Sequence, residues 1–290
     1  MKKIIILIPV FNDWQSLIKL LEEINNTIED MNESNFHCIV INDASTIESP
    51  KLNIPKNIRS LDIINMKENR GHARCNAFGI RYLAKNIDFD HLILMDGDGE
   101  DRPEEIISLV ERALTDQTTS VVANRIKRSE GPFFQLLYQI HKSITFIFTG
   151  KRISFGNYSC LTNKDVKLLS EKVSLWSSFS GSVKKHISKL NSVKSIRGLR
   201  YFGPSKMSLF KLIIHSFSII AVFKNIVFLR SAILIMILAF LTPSISFLAE
   251  TIQILLVIFN LIIFLVSLRE NEKEFLSSHL NERSIKRYTH

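Results

Sequence analysis

Cysteine is scarce in this sequence. Cys38, Cys75 and Cys160 stand alone without paired spacing, which argues against a disulfide framework or a thiolate zinc site. His72, His141 and His186 show no mutual metal-ligand spacing and read as ordinary core or surface residues. A glycine-rich phosphate loop is also missing. The stretch "RGHARCNAFG" scatters its glycines and matches neither a dinucleotide fingerprint nor a P-loop, so a reaction that consumes a nucleoside triphosphate has no visible seat. No secretory leader is expected. The apolar run of "MKKIIILIPVFND" covers only Ile4–Val10 and meets Asn12 and Asp13 at once, which suits a buried first strand and a domain that stays in the cytoplasm. Acidic residues are absent from Gly181 to Arg230, where ten lysines and arginines fall. Nucleic acid is not expected as a partner; the cations lie beside a hydrophobic segment and suit anionic headgroups.

What is present, over the first 130 residues, is an alternation of short apolar runs and helical spacings. Lys3–Val10, His37–Asp43, Leu61–Lys67, His91–Asp96 and Ser120–Ile126 read as strands. Between them, Leu17, Leu20, Leu21, Ile24 and Ile28 recur at helical spacing, "GHARCNAFGIRYLAK" reads as a helix, and "PEEIISLVERAL" opens one at Pro103. Unbroken apolar strands alternating with helices predict an α/β fold with a mostly parallel sheet covered on both faces. In such sheets, ligands bind at the carboxyl ends of the strands. Farther on, "PFFQLLYQIHKSITFIF" is apolar and aromatic, and suits either a buried helix or one lying against a membrane. "ISFGNYSCLTNKDVKLL" reads as strand, turn and a helix capped near Asn163, and "SVKSIRGLRYFG" as another strand.

The last third changes character. From Ser231 to Leu268 the chain runs 38 residues with one charge, Glu250. That length suits two short membrane spans joined at "TPSISF", around Pro243. Arg230 flanks one side and Arg269 and Lys273 the other, which places both ends in the cytoplasm. The expected organisation is a catalytic domain over 1–204, an amphipathic juxtamembrane region over 205–229, two transmembrane helices over 230–268 and a cytoplasmic tail over 269–290.

One short stretch concentrates negative charge in a chain whose net charge is +9. "HLILMDGDGEDRPEEI" carries Asp96, Asp98, Glu100, Asp101, Glu104 and Glu105 directly after an apolar strand. Gly97 and Gly99 permit unusual backbone dihedrals there. Carboxylates with open positions suit Mg2+ or Mn2+, which would bridge to diphosphate oxygens.

Together, "IPVFND", "INDAST", "ENRGHARCNAFGI" and "LMDGDGEDRPE" resemble the inverting glycosyltransferases of family 2, which have the GT-A fold. Within that family the chain is similar to the branch of dolichyl-phosphate mannose synthase and the bacterial polyprenyl-phosphate glycosyltransferases. "DGDGEDRPE" resembles its metal-binding motif, and "RYFGPSKMSLFKL" a later motif. The resemblance implies that Pro9, Phe11, Asn12 and Asp13 line a nucleotide pocket and that Asp43 holds the base or ribose. It places Asp96, Asp98 and Glu100 at a Mg2+ or Mn2+ ion and the diphosphate. Arg125 and Arg128 would face an acceptor phosphate, with Arg200, Ser205 and Lys206 on the same electropositive side. The implied substrates are a nucleotide-diphospho-sugar donor and a polyprenyl phosphate acceptor, at the cytoplasmic face of a bacterial inner membrane, in a multi-pass protein. Bacterial members of this branch can be oligomers, but no interface motif is legible.

The chain departs from the branch at three places. Gly99-Glu100 stands for a Leu-Gln pair and Arg102 for a proline; Ala44 stands for a glycine; Asn157 or Tyr158 occupies the region of an aspartate. A Gln-x-x-Arg-Trp motif is absent around Trp176, which argues against a processive polymer synthase. Two other readings stay open. One is transfer to a hydroxyl of a lipid-linked saccharide, with Asp101 or Glu104 as base. The other is a non-catalytic membrane scaffold of the same fold.

Overall fold

The computed structural model describes residues 1–127, 132–203 and 208–290, the side chains at 127, 132–135, 209 and 241–245 excepted. Strand β1 (Lys2–Val10) explains why the first apolar run has no polar alternation. Ile4, Ile6 and Ile8 enter one core layer, Ile5 and Leu7 the other, and all five are at most 1% exposed. Truncating any of them to alanine would cost about 2–5 kcal/mol through lost burial and the cavity left behind. Around β1 the chain lays down β2 (Ser34–Asn42), β3 (Ile58–Met66), β4 (His91–Leu94), β5 (Val121–Lys127), β6 (Phe155–Thr162), β7 (Asn191–Ile196) and β8 (Glu282–Thr289).

These eight strands form one sheet in the order β7-β5-β6-β4-β1-β2-β3-β8. β1 pairs in parallel with β2 and β4, β2 with β3, and β5 with β7; β6 and β8 run antiparallel to their neighbours. The sheet is therefore mostly parallel, as expected, with two reversed strands. Helix α1 (Trp14–Thr27) and α3 (Glu105–Thr115) cover one face with Leu17, Leu20, Leu21, Ile24, Ile106 and Leu109. Helices α2 (His72–Asn86), α5 (Asn163–Ser170) and α6 (Phe179–His186) cover the other. Gly79 lets α2 approach closely: a Cβ there would lie 2.6 Å from Leu7 Cδ2. The cap of α5 is Thr162, whose Oγ1 accepts from the Asp165 amide at 3.2 Å. Strand order turns back at β1, between the β2 side and the β4 side. That is the switch point where parallel sheets leave a crevice at their carboxyl ends.

Helix α4 (Pro132–Thr149) resolves the two readings of its segment toward a surface helix. Leu136, Ile140, Phe146 and Ile147 form an exposed apolar stripe along it. Gly150 ends α4 in the left-handed region at φ 70, and Arg230 Nη1 donates to the Ile147 carbonyl at 2.7 Å. This cation sits against the negative end of the helix. Helix α7 (Leu209–Ala221) begins at Ser208, whose Oγ accepts from the Lys211 amide at 3.3 Å.

Helix α8 (Lys224–Ser267) has 44 residues and would span about 66 Å as a straight rod. It is not straight. Gln253 Nε2 donates to the Ile235 carbonyl at 3.2 Å, and Lys224 Nζ lies 3.5 Å from Glu270. Leu234, Ile235 and Leu238 pack on Ala249, Ile252 and Leu256. The chain therefore doubles back between Phe240 and Ser246, the segment that contains Pro243, whose side chain lies outside the described residues. By length and composition one stretch among the described residues, Ser246–Leu276, is able to cross a membrane alone. The first arm, Lys224–Phe240, reaches that length only with α7, which joins it at 86°.

Residues 269–290 are not a tail. Helix α9 (Glu272–Leu276) and β8 return to the sheet, where β8 pairs antiparallel with β3 from Ser60↔Thr289 to Met66↔Glu282. The segment's charges hide this from a hydropathy reading, because an edge strand needs few apolar residues.

Candidate active site

Loops from β1, β2 and β4 meet at the switch point. Asn12 takes the left-handed region at φ 52, which its short polar side chain tolerates. Its Oδ1 accepts from the amides of Thr46 and Ile47 at 2.8 and 3.0 Å, and its Nδ2 donates to Thr46 Oγ1 at 3.0 Å. Asn12 thus ties the β1 loop to the β2 loop. Pro9 is half-buried beneath it, and the Phe11 ring is exposed. Asp43 is buried, and its two oxygens accept from the amides of Arg70 and Gly71 at 2.9 and 2.8 Å. Both oxygens hold the turn into α2, and each keeps a further lone pair for another donor.

The acidic turn after β4 folds inward. The Asp96 amide donates to Asp101 Oδ2 at 2.9 Å, and the Glu100 amide to Asp98 Oδ1 at 3.1 Å. Gly99 sits at φ 87. Two arginines from the segment after β7 close over this turn. Arg200 donates from Nη1 to Asp98 at 2.5 Å and from Nη2 to Asp13 at 2.7 Å, and Arg197 pairs with Glu100. Backbone bonds fix the segment, from the Gly198 amide to the Glu100 carbonyl at 2.8 Å and from the Tyr201 amide to the Asp98 carbonyl at 3.0 Å. Charge-assisted pairs of this kind are the strong ones. Burial first, then the charges of Asp96 and Glu100, push the Asp98 carboxyl up to about 6. Burial and Asp96 push Asp101 up to about 7. Crowded carboxylates disfavour one another's charge, and a cation relieves that.

On the β6 side of the turn, Asn157 Nδ2 donates to Asp96 Oδ1 at 2.9 Å, and Arg125 Nη2 lies 3.6 Å from Asp101. Gly156 makes room for that guanidinium: a Cβ there would be 2.6 Å from Arg125 Nη2. Helix α7 closes this side. Its His215 ring lies 5.4 Å from that of His72 and within electrostatic reach of Asp96, Arg125 and His141.

The structure thus brings Asp13, Asp96, Asp98, Glu100, Arg125 and Arg200 to one crevice, with Pro9, Phe11, Asn12 and Asp43 in its walls. Arg128, Ser205 and Lys206 lie outside the described residues. The two candidate bases for a hydroxyl acceptor sit in different surroundings. Asp101 is 4% exposed and held by Asp96 and Arg125, and Glu104 pairs with Arg102 at 3.2 Å on the surface. Sequence reasoning missed Arg197, Tyr201, His72 and His215. The density of cations over 197–206 was a signal for the first; nothing in the spacing of the histidines announces that three helices converge.

A family model described as Glycosyl transferase family 2 matches residues 5–165, more than half of the chain. The chain belongs to glycosyl transferase family 2. The matched span covers β1 to α5, and so includes the crevice loops and excludes Arg197 and Arg200. Among curated proteins it is similar to undecaprenyl-phosphate 4-deoxy-4-formamido-L-arabinose transferases. The one from Proteus mirabilis (strain HI4320) is 30% identical over 162 residues, which is 55% of this chain and 47% of that protein. The one from Salmonella choleraesuis (strain SC-B67) is 28% identical over 163 residues, with the same coverage. The chain spans about half the length of the curated relatives it matches. Among solved structures it resembles glucosyl-3-phosphoglycerate synthase from Mycobacterium tuberculosis, in complex with Mn2+, uridine-diphosphate-glucose and phosphoglyceric acid. That likeness has a TM-score of 0.53 at 14% identity over 78% of this chain and 80% of the other. It bears on the fold, and the family 2 domain has the GT-A architecture expected of it.

Proposed function

We propose that this chain is a membrane-bound inverting glycosyltransferase that moves one sugar from a nucleotide-diphospho-sugar to a polyprenyl phosphate, on the cytoplasmic face of a bacterial inner membrane. One observation carries the reading: α7, which leads into the apolar hairpin, also meets the start of α2 beside the crevice, where the His215 and His72 rings lie 5.4 Å apart. A lipid held at the hairpin would present its headgroup where the arginine–carboxylate crevice opens. Exposed apolar side chains on α8, among them Phe240, Phe247, Leu255, Leu261 and Leu265, and the stripe on α4 suit a lipid surroundings better than water. Both ends of the hairpin return to the sheet, by way of α7 and β8, which supports one cytoplasmic side for both.

The residues present fit a divalent cation of the Mg2+ or Mn2+ kind. No group of three or more histidine, cysteine, aspartate or glutamate side chains is arranged around a metal among the described residues. Such ions are commonly held by one or two carboxylates together with substrate phosphates, and Asp96 and Asp98, with Glu100 beside them, supply that donor set. When bound, the ion would neutralise charge on the leaving diphosphate. The chain's own residues do the rest. Asp13 and Asn12 shape the nucleotide end, Asn157 orients Asp96, and Arg125 and Arg200 offer guanidinium donors to phosphate oxygens. The acceptor phosphate is already an anion. Its oxygen forms the new bond to the sugar C1 as the bond from C1 to the diphosphate oxygen breaks, and no proton has to be removed. Holding two anionic reactants in line is the main demand, and positioned cations meet it.

The test uses the full chain in detergent with Mn2+, undecaprenyl phosphate and a panel of radiolabelled nucleotide sugars. Label should pass into the organic phase, and Asp98→Ala should lower that transfer at least about 100-fold, the scale of losing one electrostatic contact to the transition state. Transfer that needs a preassembled saccharide acceptor, or that survives Asp96→Ala and Asp98→Ala, would sink the reading.

A further inference from the structure

Arg200 joins two carboxylates that come from different loops. Its Nη1 donates to Asp98 Oδ2 at 2.5 Å and its Nη2 to Asp13 Oδ2 at 2.7 Å. The three side chains are 14%, 17% and 19% exposed, so water screens these contacts little. The other oxygen of each carboxylate is tied to its own loop. Asp13 Oδ1 accepts from Ser16 Oγ at 2.7 Å, and Asp98 Oδ1 from the Glu100 amide at 3.1 Å. The carboxylates are therefore fixed from behind, and the guanidinium, at the end of a long side chain, is the member able to leave.

Two features show that this pairing satisfies neither side. Arg200 Nε is buried and has no hydrogen-bond partner among the described residues, because the two Nη groups reach out to separate carboxylates. An oxyanion that presents two oxygens would take Nε and one Nη together, the fork in which a guanidinium binds best. The carboxylates are short of positive charge in turn. Glu100 pairs with Arg197 and Asp101 with Arg125. Asp98 and Asp13 share one arginine, and Asp96 Oδ1 accepts from a neutral amide, Asn157 Nδ2. The surplus of negative charge falls at Asp13, Asp96 and Asp98, where a guanidinium brings one charge and a divalent cation brings two.

We propose that Arg200 is the built-in counter-cation of the metal seat. It neutralises Asp98 and Asp13 until the substrates bind, gives up Asp98 to a divalent cation, and turns its Nε–Nη edge to the donor diphosphate. This rests on the metal and donor proposed above and adds an order to them, cation before diphosphate. Only salt-bridge partners are exchanged; no proton moves and no covalent bond changes. The exchange couples the two sites. A cation that releases Arg200 strengthens the hold on the diphosphate, and by linkage the diphosphate strengthens the hold on the cation.

The experiment measures Mn2+ binding by electron paramagnetic resonance, with the full chain in detergent, alone and with UDP, GDP or CDP. Equilibrium dialysis gives the nucleotide affinities in the presence of Mn2+. The variants are Arg200→Met and Arg200→Lys, and circular dichroism melting shows that each is folded. Arg200→Met should bind Mn2+ alone at least about tenfold tighter than the native chain, the scale of a charge-assisted hydrogen bond that no longer has to be given up. The same variant should bind the preferred nucleoside diphosphate at least about tenfold more weakly. Arg200→Lys keeps the charge and reaches one carboxylate, so its Mn2+ affinity should fall between the two. A lysine variant equal to the native chain shows that the charge only repels the ion, and overturns the proposal. Mn2+ affinity unchanged or lowered in Arg200→Met also overturns it, and leaves the metal reading standing. A native chain and variants that bind no Mn2+, with or without nucleotide, overturn the metal reading itself.

Discussion

Gly99→Ala is the substitution that most directly probes how the acidic turn is held. Two separate costs follow from the structure. Gly99 sits at φ 87, where an alanine pays about 1–2 kcal/mol for left-handed backbone. A Cβ there would also stand 2.6 Å from the Tyr201 ring. That ring cannot swing aside freely. Its hydroxyl donates to Glu23, Lys19 Nζ lies 4.6 Å from its centroid, and its amide is bonded to the Asp98 carbonyl. Overpacking against a fixed neighbour costs about 1–3 kcal/mol, so the total is about 2–5 kcal/mol. Denaturant unfolding of the full chain, read by Trp14 and Trp176, both buried in the catalytic domain, gives the number. Tyr201→Ala separates the two parts. In the double variant the steric part disappears and the backbone part remains, so the cycle should show about 1–3 kcal/mol of favourable coupling. Additive single and double variants would refute the claim that Tyr201 packs over Gly99. Gly203→Ala is the control: φ is 66 and nothing lies within 4 Å of its Cβ, so only the backbone part is expected.

The other predictions can be tested on the same preparation. Ala44 holds φ 55, so Ala44→Gly should raise stability by up to about 1 kcal/mol, set by left-handed relief against added chain entropy; a loss would show that the alanine methyl is needed. His91, buried at the start of β4 with neither ring nitrogen hydrogen-bonded among the described residues, has its pKa lowered by burial, with Asp90 opposing and Lys2 adding to the shift. The unfolded chain therefore binds the proton more readily, stability falls as pH drops through about 6.5, and His91→Phe should flatten that part of the profile; an unchanged slope would refute it. Removing residues 282–290 uncovers β3, and should produce concentration-dependent aggregation by light scattering. Arg230→Ala should loosen the end of α4, seen as faster proteolysis after Lys151 or Arg152, with a stability cost of about 1 kcal/mol.

The parts of the fold legible in the sequence are those whose burial pattern is one-dimensional. A strand buried on both faces must be apolar throughout, so Ile4–Ile8 and His91–Leu94 declare themselves. α1 shows its core face as Leu17, Leu20, Leu21 and Ile24. β8 does not, because "ERSIKRYT" pairs on one edge only and exposes most of its side chains. Composition suggests a reversal near Pro243; the contact of Gln253 with Ile235 is one that no local pattern encodes.

The site divides along the same line. Asp96, Asp98 and Asp13 are visible because each follows a strand whose end the fold must present, so position in sequence stands for position in space. Arg200 completes the same cluster from 187 residues beyond Asp13, and sequence offers only its charge and a loosely spaced motif. The consequence is chemical. Arg200 binds Asp98 and Asp13 at once, so whatever takes the diphosphate into this crevice has to compete with a guanidinium already seated between two carboxylates. A cation bound at Asp98 and an anion bound at Arg200 would each release the other residue from its partner, so on the proposed function the two substrates would share a pair of charges. On the proposed function the basic chain and its acidic turn are one arrangement, in which the carboxylates would hold the arginines until phosphates replace them.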